Sequence, residues 1–122
     1  MILADSSIWI DHLRHRDEAL LKLIADVQLL VHPFVIGEVA LGHIRSRIKL
    51  LTEMNEFEEP VLATDEEVLL LIERMELAGK GLGLVDVHLL GSTLVTVDAK
   101  LWTRDKRLAA AASEAGVHAD LP

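Results

Sequence analysis

Followed from Met1, the alternation of apolar and polar positions divides the chain into short apolar runs and longer stretches of helical period. Met1–Ala4 is an apolar run that reads as a strand feeding Asp5. Ser6 to Leu13 reads as a short helix with Ile8, Trp9 and Leu13 on its apolar side. Asp17–Asp26 reads as a second, since Leu20, Leu23, Ile24 and Val27 recur at helical spacing. Leu29–His32 predicts a second strand. Pro33 then starts a helix, because its fixed φ suits the first helical position. That segment, through Leu41, is apolar nearly all round and is expected to be buried, with Phe34, Glu38 and Leu41 on one side. Ile44, Ile48, Leu51 and Met54 mark one face of the next helix, which Pro60 is expected to stop.

Val61–Ala63 predicts a third short strand. Thr64-Asp65-Glu66-Glu67 has the form of a capping box, and the helix it opens turns Val68, Leu71, Ile72 and Met75 inward and runs to Gly79. Gly79, Gly81 and Gly83 predict a flexible loop ahead of a helix from Val85 to about Leu94. Leu101–Thr103 reads as a strand, Asp105–Ala115 as a helix closed by Gly116, and Val117–Ala119 as a last strand. Strands alternating with helices predict an α/β sandwich around a mainly parallel sheet, in one domain over residues 1–122. In such sheets ligands collect at the carboxyl ends of the strands.

Composition narrows the class. Hydrophobic residues make up 51% of the 122, too many for a disordered chain, and no apolar run approaches the roughly 20 residues that span a bilayer. The N-terminus shows neither the basic region nor the cleavage site of a secretory signal. Cysteine is absent, which excludes disulfides and thiolate metal sites and fits a cytoplasmic setting. The net charge of -8 argues against a simple cationic nucleic-acid binder, but its distribution changes that picture. Residues 53–76 hold nine acids and one base, so this stretch carries the whole excess. A solvated face is the expected reading of it. Elsewhere acids and bases balance, and the bases come in small groups: Arg14 and Arg16; Arg45, Arg47 and Lys49; Arg104, Lys106 and Arg107.

Four carboxylates stand out. Each has a plain structural reading when taken alone. Asp5 caps the helix at Ser6, Glu38 belongs to an ion pair, Asp86 caps the helix after the glycine loop, and Asp105 sits in a first helical turn favoured by the dipole. Together they point elsewhere: three fall at strand ends and the fourth in a buried helix, so the fold is expected to bring all four to one edge. Four clustered carboxylates repel and take up protons unless a cation neutralises them. An all-oxygen ligand set suits Mg²⁺ or Mn²⁺, ions that support phosphodiester hydrolysis.

Four blocks of sequence carry a resemblance: Asp5-Ser6-Ser7-Ile8-Trp9-Ile10-Asp11-His12-Leu13, Pro33-Phe34-Val35-Ile36-Gly37-Glu38, Gly83-Leu84-Val85-Asp86-Val87-His88-Leu89-Leu90 and Leu101-Trp102-Thr103-Arg104-Asp105-Lys106-Arg107-Leu108. In order and spacing the chain resembles the PIN-domain ribonucleases, specifically the VapC toxins of toxin–antitoxin pairs, over nearly its whole length. The resemblance implies a three-layer sandwich and a Mg²⁺- or Mn²⁺-dependent endoribonuclease cutting structured RNA such as tRNA or ribosomal RNA. It makes Asp5 and Asp86 principal metal ligands, with Glu38 and Asp105 completing the site. Ser6 and Thr103 become supporting hydroxyls. It further implies a 5′-phosphate and a 3′-hydroxyl as products, a homodimer, and inhibition by a VapB-type antitoxin. Arg104, Lys106 and Arg107 are the expected phosphate contacts, and Asp98 is read as a loop or helix-end residue.

Other chemistries lack their residues. The six histidines show no metal-binding spacing, no Gly-x-Ser-x-Gly exists, and no Gly-Lys-Ser/Thr follows the glycines. A phosphoreceiver needs paired acids after the first strand, where Asp5-Ser6-Ser7 stands instead. A non-catalytic interaction module on the same fold is the competing reading; retention of all four acids speaks against it.

Overall fold

The structure is a computed structural model describing residues 1–122. Its centre is a three-stranded, wholly parallel sheet in the order β2 (Leu29–Leu30), β1 (Ile2–Ala4), β3 (Lys100–Trp102). Ile2 and Leu3 pair with Leu29 and Leu30 on one side, and with Lys100 and Leu101 on the other. Single bridges continue the sheet at both edges, Leu30 with Glu58 and Leu101 with His118. Leu3, Ala4, Leu30, Leu101 and Trp102 are all buried, as expected for a parallel sheet covered on both faces.

Seven helices surround it: α1 (Ser6–Arg14), α2 (Glu18–Ala25), α3 (Pro33–Ala40), α4 (Arg47–Asn55), α5 (Asp65–Arg74), α6 (Leu84–Val95) and α7 (Lys106–Glu114). The result is the predicted α/β sandwich. No helix is long and apolar enough to cross a membrane. Local signals set several boundaries as expected. Pro33 occupies the first turn of α3, and Thr64 and Glu67 form both halves of the capping box of α5. Asp98 lies in an exposed turn before β3 with φ 58°, a conformation Asp tolerates. All nine acids of 53–76 are exposed, which makes the stretch a solvated face.

Four expectations need correction. Val61–Ala63 is not a strand, because its donors go to α6 instead: Val61 N–H bonds Thr96 Oγ1 at 2.8 Å and Ala63 N–H bonds Ser92 Oγ at 3.1 Å. The sheet edge is met earlier, where Val31 N–H donates to the Glu58 carbonyl at 2.9 Å. Val117–Ala119 contributes only a single bridge around Leu101. Helices α4 and α5 are shorter than their apolar periods suggested, ending at Asn55 and Arg74 rather than at Pro60 and Gly79. Finally, α3 buries Val35 and Val39 only. Phe34 and Leu41 are largely exposed, so Glu38 lies half-buried on an outward-facing stripe and not in a helix core.

Candidate active site

The three parallel strands all end at the same edge of the sheet, and the segments that leave those ends carry most of the carboxylates. Asp5 directly follows β1 and is 4% exposed. Its N–H donates to the Trp102 carbonyl at the end of β3, which brings Thr103 alongside. Thr103 Oγ1 donates to Asp5 Oδ2 and accepts from Asp105 N–H at 3.0 Å. From beyond β2, α3 brings Glu38, whose Oε1 accepts from Ser6 Oγ at 3.0 Å. Asp86 follows no strand. It arrives on the first turn of α6 behind a sharply turned loop in which Gly79 and Gly81 both take φ +76°. The positive φ is what favours glycine at Gly81; the Arg107 guanidinium, 2.9 Å from where a Cβ would stand, is the end of an exposed side chain that can move aside.

The plain structural readings and the chemical one prove compatible. Asp5 Oδ1 caps α1, accepting from Ser7 N–H at 3.0 Å and Ile8 N–H at 3.4 Å. Asp105 Oδ1 caps α7 through Arg107 N–H at 2.9 Å and Leu108 N–H at 3.1 Å. Asp86 Oδ2 accepts from Gly83 N–H at 3.1 Å at the start of α6. Each of these three carboxylates is thus held by one oxygen in a helix N-terminus, where the dipole favours negative charge. The other oxygens of Asp86, Asp105 and Glu38 have no protein partner. Ser7 is a hydroxyl the sequence did not single out. It donates to Asp5 Oδ1 at 2.5 Å and accepts from Arg104 N–H, so it ties the start of α1 to the segment after β3.

Electrostatics mark the same residues. Burial pushes the Asp5 carboxyl above its ordinary value, and the bonds from Ser7 and Thr103 only partly offset this. Asp86 is raised by burial, opposed by the Gly83 N–H and reinforced by the negative charge of Asp105. Two carboxylates that resist ionisation beside a third are a site short of positive charge.

A divalent cation would supply that charge, and the donor set decides whether one can be held. All available donors are hard oxygens, three of them unengaged. No three His, Asp or Glu side chains gather closely enough to grip one ion together, so the four-carboxylate cage is not closed. Mg²⁺ does not require one, since it is commonly held by one or two carboxylates and completes its shell with water and substrate phosphate. The residues fit such an ion.

The expected phosphate contacts separate into two kinds. Lys106 and Arg107 are exposed. Arg104 is engaged within the fold: Nη2 meets Asp17 Oδ2 at 2.5 Å, Nη1 meets Asp11 Oδ2 at 2.9 Å, and Nε donates to the Pro122 carbonyl at 3.0 Å. Its guanidinium also lies over the Trp102 ring, 5.5 Å from the centroid. Two carboxylates hold the donors a phosphate would need, so Arg104 is a strut between the α1–α2 turn and the segment after β3. Burial raises the Asp17 carboxyl, but the Arg104 hydrogen bond and charge, together with the Leu20 and Ala19 N–H groups, more than reverse this and leave it below its ordinary value. The pair therefore stabilises the fold at neutral pH and is lost as pH falls through that lowered value. Arg104→Met is expected to destabilise the protein by about 2 kcal/mol, because a half-buried pair is broken and Asp17 is left uncompensated. Urea unfolding at pH 7 measures this. Unchanged stability with weakened RNA binding would restore the phosphate-contact reading.

A buried aspartate at the end of the first strand of a parallel α/β sheet, with further acids at the starts of α6 and α7, defines a class. The PIN domain pattern matches residues 2–114, and the chain belongs to that family. Among characterised proteins it is similar to ribonuclease VapC32 of Mycobacterium tuberculosis, in strains CDC 1551 / Oshkosh and ATCC 25618 / H37Rv. Identity is 50% over 120 residues, covering 96% of this chain and 94% of the relative. The four blocks of sequence thus belong to a VapC-type PIN-domain protein.

Proposed function

We propose that the protein is a Mg²⁺- or Mn²⁺-dependent endoribonuclease and the toxin of a VapBC-type pair, cutting structured RNA such as tRNA or ribosomal RNA. One observation carries the reading: Glu38, Asp86 and Asp105 are each anchored by one carboxylate oxygen and keep the other without a protein partner, while Asp5 is buried at the end of the central strand. The relative's ribonuclease name supports the substrate class. A bound divalent ion supplies charge neutralisation at the scissile phosphate and lowers the pKa of water. Asp5 and Asp86 are the residues to hold it, with Glu38 and Asp105 completing the site directly or through water. The protein's own part is positional. The caps of α1 and α7 fix Asp5 and Asp105 against rotation, and the Thr103 hydroxyl locks the two segments together. Ser6 orients the Glu38 carboxylate, and in this reading the unengaged Glu38 oxygen accepts the proton of the attacking water.

Glu38→Gln keeps an oxygen for the Ser6 bond and loses the negative charge. It is expected to cut the cleavage rate by roughly 10- to 100-fold, the scale of a lost general base, with little change in unfolding midpoint. Parallel rate and melting measurements check this. A VapB-type antitoxin and a second copy of the chain are the proposed protein partners. An open groove of about 560 Å³ among α1, α2 and α4, with Trp9, Ile24, Met54 and Phe57 in its wall, supports docking of an apolar partner segment.

The test is metal-dependent cleavage of total cellular RNA by purified protein freed of any partner, with Asp86→Asn in parallel. Discrete cuts that need metal and Asp86 support the nuclease. Engagement of both Asp5 carboxylate oxygens within the fold favours the second reading, a PIN-fold interaction module without catalysis. Failure to cleave together with failure to take up Mn²⁺ in calorimetry would establish that alternative.

A further inference from the structure

Two cavities carry basic side chains. One, of about 410 Å³ against α7, is lined by Lys80, Lys106 and Arg107 together with Glu114, and none of the four candidate carboxylates reaches it. The other, of about 460 Å³, lies at the Glu38 end, between α1 and the connection from α3 to α4. Its polar lining is Arg14, His43 and Arg45 together with Glu38 itself, and its apolar lining includes Ile10, Leu13 and Ile44. Arg14 is the last residue of α1 and Arg45 lies 31 positions further on, so only the packing of α1 against α3 unites them.

The two guanidiniums differ from several of the protein's other arginines. Arg16 pairs with Glu18, Arg104 with Asp11 and Asp17, and Arg47 donates to the carbonyls of Ala40 and Gly42 at the end of α3. Arg14 and Arg45 have no carboxylate within ion-pair distance, although Glu38 lines the same cavity. Unpaired cations over an apolar wall, beside the Glu38 carboxylate, match the two halves of a nucleotide. Guanidinium forks bind phosphate oxygens in pairs, and apolar side chains accept a base or ribose face.

We propose that this cavity is a nucleotide subsite for the RNA strand being cut. In it Arg14 and Arg45 hold the phosphate adjoining the scissile one, and Ile10, Leu13 and Ile44 pack against its base or sugar. The subsite rests on the ribonuclease reading and adds the residues that place the strand across Glu38.

The experiment measures binding without cleavage, using Asp5→Asn protein and labelled RNA across a salt series. Adding Arg14→Ala and Arg45→Ala together is expected to weaken binding by roughly 10- to 100-fold and to reduce the slope of log affinity against log salt by about 0.7, one phosphate contact on a single strand. Arg14→Lys with Arg45→Lys retains the charge and is expected to recover most of the slope but not all of the affinity. In protein with Asp5 intact, the loss falls on KM rather than kcat. Circular dichroism and melting confirm that each variant is folded. Unchanged affinity and slope in the folded double alanine variant overturn the subsite alone. So does a variant that keeps RNA binding but loses self-association, because the cavity then serves a second copy. If Asp5→Asn protein binds no RNA at any salt, the ribonuclease reading falls with it.

Discussion

Asp5→Asn is expected to abolish metal-dependent RNA cleavage, by at least about 10³-fold, the scale of several kcal/mol of lost charge stabilisation. The fold is expected to survive. The Asn side-chain oxygen still caps α1 through Ser7 and Ile8, and its amide can donate to Thr103 Oγ1, which exchanges its role from donor to acceptor. Stability at neutral pH is expected to hold or rise. An acid whose pKa is raised by burial is costly to the folded state once ionised, and the neutral amide removes that cost. Cleavage assays and thermal melts on the same preparations check both halves. A variant that loses activity and unfolds together would mean that the Asp5 charge is structural, and the site would need another centre.

The second large effect is an acid-side loss of stability set by His32. This residue is 2% exposed and caps α3, with Nδ1 accepting from Phe34 N–H at 2.9 Å. Its ring stands 5.0 Å from that of Phe34, which in turn stands 5.0 Å from His88. Burial, with a smaller contribution from His88, lowers its pKa from 6.5 to about 4. Protonation would also take the lone pair that receives the Phe34 N–H. A base with a depressed folded pKa binds fewer protons folded than unfolded, so stability is full above the unfolded value and falls as pH drops from about 6.5 toward 4. The loss is on the order of 3 kcal/mol. Asp5 and Asp86 contribute with the opposite sign, since acids with raised pKa values favour the folded state as they take up protons. The diagnostic is therefore a difference. Unfolding midpoints of the native protein and of His32→Asn, which keeps a capping oxygen, are compared from about pH 7.5 to about 4.5. The substitution is expected to flatten the acid-side fall. Identical pH profiles would remove His32 from this role.

The residues of the candidate site were legible because each sits next to its own local signal. Asp5 ends an apolar run, Asp105 precedes a helix of alanines, and Asp86 and Glu38 interrupt apolar stretches. Capping and strand-end placement act over two or three residues, and a linear reading sees that range. Glu38 shows its limit. The apolar segment around it predicts burial, but α3 covers only Val35 and Val39, and the stripe through Phe34, Glu38 and Leu41 faces outward. Burial is decided by which neighbour arrives, not by the helix alone.

The sequence by itself determined the alternation of strands and helices, the starts of α3 and α5, the absence of thiol chemistry, and the four acids. Each of these is a matter of composition or of interactions between near neighbours. Only the tertiary structure decided the rest. Val61–Ala63 gives its donors to α6, Ser7 joins Asp5, Arg104 is bound by acids 93 and 87 positions away, and Arg14 and Arg45 are left unpaired on one cavity. Apart from the Ser7 bond, these arrangements depend on distances between segments far apart in the chain. Those distances are set when the apolar faces pack, and no local pattern encodes them.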